Sequence, residues 1–227
     1  MDYFFISYGL TLIAFIISIA AQVYVNSSYK KYSRIKNERG ITGKEAARYI
    51  LDKHGLSNIK VEPARGFLSD HYDPRNNVIK LSESNYNGYS IASVAVACHE
   101  CGHAIQDKEG YFFMKIRSSI VPIVNFSSYA GYIAIVLGCL FGAINLIWLG
   151  IIAEIVILLF QLITLPVEFD ASKRAKEELT NLQLIDREEY KGVSNMLKAA
   201  AFTYVAGVLN SLLQLLRLII MLNDRRD

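Results

Sequence analysis

Four apolar runs decide what this chain can become. Tyr3 to Val25 and Val121 to Ala143 hold no charged side chain, and Ile144 to Leu165 holds only Glu154. Ala199 to Leu222 is weaker, carrying Asn210, Gln214 and Arg217. About 20 apolar residues suffice for a helix to cross a bilayer core, where every backbone polar group must be satisfied within the segment. The sequence therefore predicts a mainly α, multi-pass membrane helical bundle. The first run exceeds the roughly 7–15 apolar residues of a secretory signal, and Met1-Asp2 supplies no positive side chain ahead of it. It reads as a retained membrane helix.

Charge placement orients the bundle. Lys30, Lys31, Arg34, Lys36 and Arg39 follow the first run at once, whereas Asp2 is the one charged side chain before it. The positive-inside rule then puts the N-terminus outside and residues 26–117 in the cytoplasm. Helices two and three form a hairpin over 118–166, whose uncharged break near Gly142 lies outside. The chain returns to the cytoplasm for 167–198, and 199–227 forms a fourth membrane or interfacial helix with its tail. If that helix spans, Arg225 and Arg226 finish outside, against the rule; lying along the interface avoids the conflict. Glu154 and Arg217 would be costly facing lipid, so either a pairing between them or local neutralisation of one is expected. A net charge of +3, with no basic blocks interleaved with aromatics, offers nothing to nucleic acid. The lipid bilayer is the expected partner.

The 26–117 insert reads as a small α+β unit. Thr42 with Glu45 is a capping-box signature for a helix ending at Gly55, with His54 at its dipole-favoured last turn. "NIKVEP" and "NVIKLS" suggest short strands, and "DPRNN" a tight turn before the second. Ser90 then caps a helix, "IASVAVACHECGHAIQD", ended by Gly110. A further capping box, Asp186 with Glu189, starts another helix in the second polar segment.

Chemistry concentrates in "ACHECGHAIQ", residues 97–106, which holds two of the four histidines. His99 and His103 are one helical turn apart, so both imidazoles leave the same face. That spacing offers two of the three protein ligands of a catalytic zinc, and Glu100 beside them can reach the open coordination position as a general base. Two surface histidines with a neighbouring acid are the bland alternative, which such an apolar helix argues against. Cys101 is rotated about 200° from either histidine and Cys98 about 100° from His99, so both read as small buried side chains. With three cysteines and no framework spacing, no disulfide scaffold is expected. A third ligand must come from elsewhere: Glu168 leads, Asp170 is its local rival and His71 the distant one. An ordinary acid at a helix end accounts for Glu168 equally well.

"LSDHYDP", "VIKLS", "VACHECGHAIQ" and "LPVEFDASKRA" together resemble the YugP-type family of neutral membrane zinc metallopeptidases over most of the chain. More remotely they resemble HtpX-type membrane proteases, in which the glutamate of E-x-x-A-D is the third zinc ligand. The resemblance implies that Glu168 is that ligand, with Ala171 matching the alanine. Ser172 stands where the aspartate would be, so the carboxylate that would orient a ligand histidine is missing there. By analogy with gluzincins, "NVIKLS" would be the edge strand that aligns an extended peptide, and a plain structural strand explains it equally well. Tyr72, Tyr86, Tyr89 and Tyr204 are candidate oxyanion donors, although each taken singly is better explained by packing.

The expected protein is an integral membrane zinc endopeptidase acting on peptide or protein substrates, membrane proteins included. Zn2+ would be held by His99, His103 and Glu168, with Glu100 as the base. Two rival classes remain: a non-enzymatic, zinc-stabilised regulatory protein, and a transporter dependent on Glu154.

Overall fold

The computed structural model describes residues 2–224, so Arg225 and Arg226, on which the fourth run's orientation turns, lie outside the described residues. The chain folds as α1 (Asp2–Tyr32), α2 (Gly43–Lys53), β1 (Lys60–Ala64), β2 (His71–Asp73), β3 (Val78–Ser82), α3 (Glu83–Tyr86), α4 (Ile91–Glu109), α5 (Phe112–Phe141), α6 (Ile144–Asn181) and α7 (Arg187–Asp224). It is mainly helical with one small sheet, and divides into two compact units.

The first unit takes the chain up to Gln22, Lys115–Leu165, and Phe202 onward. Its helices belong to four that are long and apolar enough to cross a membrane, with mean hydropathies of 1.9, 1.7, 2.6 and 1.9 in chain order. Phe15, Phe126, Tyr129 and Leu140 stand exposed on them, side chains at home against lipid. Small residues let α5 and α6 approach closely: Gly131 lies too near Ala153, and Gly150 too near Ile135, for either to carry a Cβ. Ile147 and Ile151 of α6 pack with Leu218 and Leu222 of α7. Of the two alternatives for Glu154 and Arg217, the pairing is not found among the described residues. Glu154 hydrogen-bonds Ser211, and Arg217 donates to Gln214 one turn earlier. Glu154 thus meets a hydroxyl on α7, while Arg217 turns to a neighbour on its own helix.

The second unit, Val23–Met114 with Pro166–Ala201, holds the sheet and the polar helices. Both expected helix starts are present. Thr42 accepts from the Glu45 N–H while the Glu45 carboxylate accepts from the Thr42 N–H, and Asp186 and Glu189 repeat the exchange. Each such cap contributes about 1 kcal/mol. His54 closes α2 and, with Lys53, meets the Glu178 carboxylate at 3.2 and 2.9 Å. The core packs Ile50 and Leu51 of α2 and Ile79 and Leu81 of β3 against Val94 and Ile105 of α4, Leu179 of α6 and Met196 of α7.

Three features of the structure are not specified by local sequence pattern. The composition change at residue 167 does not end a helix, because α6 continues to Asn181; Pro166 gives up one backbone donor but its neighbours keep the ladder. At residue 199 α7 likewise continues without a break. The strand "VIKLS" is central rather than an edge. The sheet order is β1-β3-β2, with β1 parallel and β2 antiparallel to β3, so a peptide cannot add alongside β3. The tight turn is where the sequence puts it: Asp73 Oδ1 accepts from the Arg75 N–H at 2.9 Å, and Asn77 takes a φ of 50°. This folds His71–Asp73 back as an edge strand on β3, short enough to leave no alternation pattern in the sequence.

A candidate metal centre

The cap residues set where α4 begins and ends, and its small residues set how deep it lies. Ser90 accepts from the Ser93 N–H at 3.1 Å, and Gly110 ends the helix at φ 67°. Between them Ala92, Ala95, Ala97 and Ala104 are buried, which lets neighbouring elements close on the helix from several sides. Gly102 meets α6 backbone to backbone: a Cβ there would come within 2.5 Å of the Ala171 carbonyl oxygen and 2.9 Å of its Cα. Glycine at this position therefore permits the approach that brings Glu168 over the two histidines.

His99 and His103 present their Nε2 atoms to one carboxylate oxygen, Glu168 Oε2, at 3.2 and 3.5 Å. The rings meet edge to face with centroids 4.7 Å apart. One ligand atom from each of the three residues lies within 4.8 Å of the other two, a group able to hold a metal ion. Glu168 and His103 are buried and His99 nearly so. The outer ring nitrogens also have partners: His99 Nδ1 lies 3.2 Å from Ser172 Oγ, and His103 Nδ1 lies 3.0 Å from Gln106 Oε1. Ser172 thus places a hydroxyl against the outer nitrogen of the His99 ring.

Glu100 is buried beside this group, and burial pushes its carboxyl up to about 7, with the negative charges of Glu168 and Asp70 adding to that and His99 opposing it. Its carboxyl accepts the backbone N–H of Tyr72 on β2, so the edge strand touches it directly. Asp70, at the start of that strand's approach, accepts from the Ser82 N–H at 2.8 Å and from Asn85 Nδ2 at 2.9 Å. That anchors the chain leading into β2.

The other sequence candidates are turned elsewhere. Asp170 accepts from Gln106 Nε2 at 2.8 Å and Arg174 Nε at 2.6 Å. His71 is exposed on β2, with Nδ1 2.8 Å from the Ser69 carbonyl. Cys98 and Cys101 are buried, and burial raises both thiols, as suits packing rather than ligation. Tyr72 donates its hydroxyl to Asp107 at 3.0 Å, Tyr86 lies beneath the Lys44 ammonium, and Tyr89 is exposed. Tyr204 belongs to the other unit. Gln106 is the site residue the sequence reading passed over. The available signal was its place three residues after His103, on the same helix face.

A family model described as "Putative neutral zinc metallopeptidase" matches residues 7–223. The chain belongs to this neutral zinc metallopeptidase family. It is 47% identical over 218 residues, covering 96% of this chain and 97% of the relative, to the "Putative membrane protease YugP" of Bacillus subtilis (strain 168). No solved structure matches. The family's metal is zinc, and the grouped residues fit it, since two imidazoles and one carboxylate are a donor set that catalytic zinc takes.

Proposed function

We propose that this protein is a multi-pass membrane zinc endopeptidase of the gluzincin type whose active site faces the cytoplasm. The observation that carries the reading is the convergence of Glu168 Oε2 on both histidine Nε2 atoms, with buried Glu100 alongside. Zinc held by His99, His103 and Glu168 would supply a Lewis acid that polarises the scissile carbonyl and makes water nucleophilic near neutral pH. Glu100 takes the proton from the attacking water and gives it to the leaving amine. The β2 edge takes over the peptide-aligning role first given to β3, because its outer side is the one next to Glu100. Among the described residues the group has three donors, while Asp170 is engaged by Arg174 and Gln106. Three protein donors leave a position for water, whereas a structural zinc closes its site with four.

Purified in detergent, the protein should hydrolyse an unfolded protein substrate, lose that activity to a chelator and regain it with zinc. Full activity in a metal-free sample would overturn the zinc mechanism. A sample that never cleaves but unfolds on chelation would place the metal in a structural role.

The cytoplasmic orientation rests on the basic cluster from Lys30 to Arg39 behind a first helix with no positive side chain before it. Asn76 is exposed in the β2–β3 turn, so Asn76→Cys reports which side that turn faces. An impermeant thiol reagent should label it only after cells are opened. Labelling in intact cells reverses the topology.

A further inference from the structure

Gln106 takes no part in the chemistry above, yet it is fully buried on the histidine face of α4. Burying an amide is costly unless its polar atoms are bonded, and here three contacts meet them. Nε2 donates to the Val167 carbonyl and to Asp170 Oδ2, both at 2.8 Å. A backbone carbonyl and a carboxylate bonded to Arg174 can only accept, so these two partners fix which end of the amide carries hydrogens. The other end, Oε1, can only accept, and it faces His103 Nδ1 at 3.0 Å. His103 Nδ1 must therefore carry the hydrogen, which leaves Nε2, the atom turned to Glu168, bare in the neutral ring. His99 has no such constraint, because the Ser172 hydroxyl opposite its Nδ1 can donate or accept.

We propose that Gln106 is a positioning residue that sets the tautomer and ring orientation of His103 while tying α4 to the turn of α6 bearing Glu168. Val167 immediately precedes Glu168 and Asp170 follows it by two, so one amide holds the second and third ligands in a common frame. The inference rests on the reading that His99, His103 and Glu168 hold zinc.

Zinc affinity of the full-length protein, measured by competition with a chromophoric chelator, tests it without reference to activity. Gln106→Leu removes the acceptor and both donors, and binding should weaken roughly 10–100-fold, as when an outer partner of a ligand histidine is lost. Gln106→Glu keeps an acceptor opposite Nδ1 and should fall between that variant and the unaltered protein. Wild-type affinity in Gln106→Leu overturns the proposal, and so does an equal loss in both variants, which would mark a packing role only. Should Gln106→Leu not fold, the unaltered zinc-loaded protein still decides. Nitrogen-15 histidine spectra should show His103 protonated at Nδ1 and metal-bound at Nε2, and the reverse tautomer overturns the proposal. The zinc reading fails separately, if His103→Ala and Glu168→Ala both bind zinc as the unaltered protein does.

Discussion

Glu100→Gln is expected to lower peptide hydrolysis by about 10²–10⁴-fold while leaving the zinc content unchanged, since positioned general acid–base groups contribute on that scale. The substitution preserves the size of the side chain and its ability to accept the Tyr72 N–H, but removes the site for the water's proton. His99, His103 and Glu168 keep their mutual geometry, because Glu100 lies outside the group of converging ligand atoms. Metal analysis and turnover on the same purified sample separate the two roles. A variant that loses its zinc would show that Glu100 is a ligand, and one that keeps its activity would show that it is not the base. A slow enzyme of this kind also retains what it binds. We propose membrane-protein quality control as the protein's setting, and Glu100→Gln expressed in cells should then co-purify with membrane proteins that wild type does not hold. Recovery of none would remove that setting.

Glu168→Ala should cost the site both its metal and its activity. Two imidazoles on one helix turn cannot hold zinc firmly without a third protein donor. The affinity loss should exceed the roughly 10–100-fold that follows removal of an outer partner. Asp170→Ala, two residues away, should leave the metal bound, because Asp170 is directed to Arg174 and Gln106. Burial sharpens the contrast. With Glu168 gone, the enclosed ring of His103 faces an apolar methyl where a carboxylate had been. Equilibrium dialysis against zinc measures both variants. Wild-type affinity in Glu168→Ala would take Glu168 out of the site and return Asp170 and His71 to candidacy.

Much of this architecture is written in local pattern. The four apolar runs, the Ser90 and Thr42 caps and the Asp186–Glu189 exchange each depend on residues within a turn or two of one another, so sequence spacing specifies them. The pair His99 and His103 is legible for the same reason, since a helix places residues four apart on one face. Elsewhere a longer-range force decides. Strand β2 is three residues long and has no period of its own; pairing with β3 makes it a strand and moves β3 from the edge to the centre. Glu154 and Arg217 stand out together among the charged residues, yet Glu154 meets Ser211 once the helices pack and Arg217 turns to Gln214 on its own helix.

The sequence by itself determined four helices apolar enough to cross a membrane and a helix with His99 and His103 on one face, because hydropathy and helical periodicity are properties of adjacent residues. Only the tertiary structure decided which carboxylate meets the histidines. Glu168 and Asp170 are equally near in sequence, but they leave α6 about 200° apart. The close approach at Gly102 turns one toward His99 and His103 and the other toward Gln106 and Arg174. The roles of Gln106 and Ser172 beside those rings are likewise set by the packing of α4 on α6, a contact between segments more than sixty residues apart that no local pattern encodes.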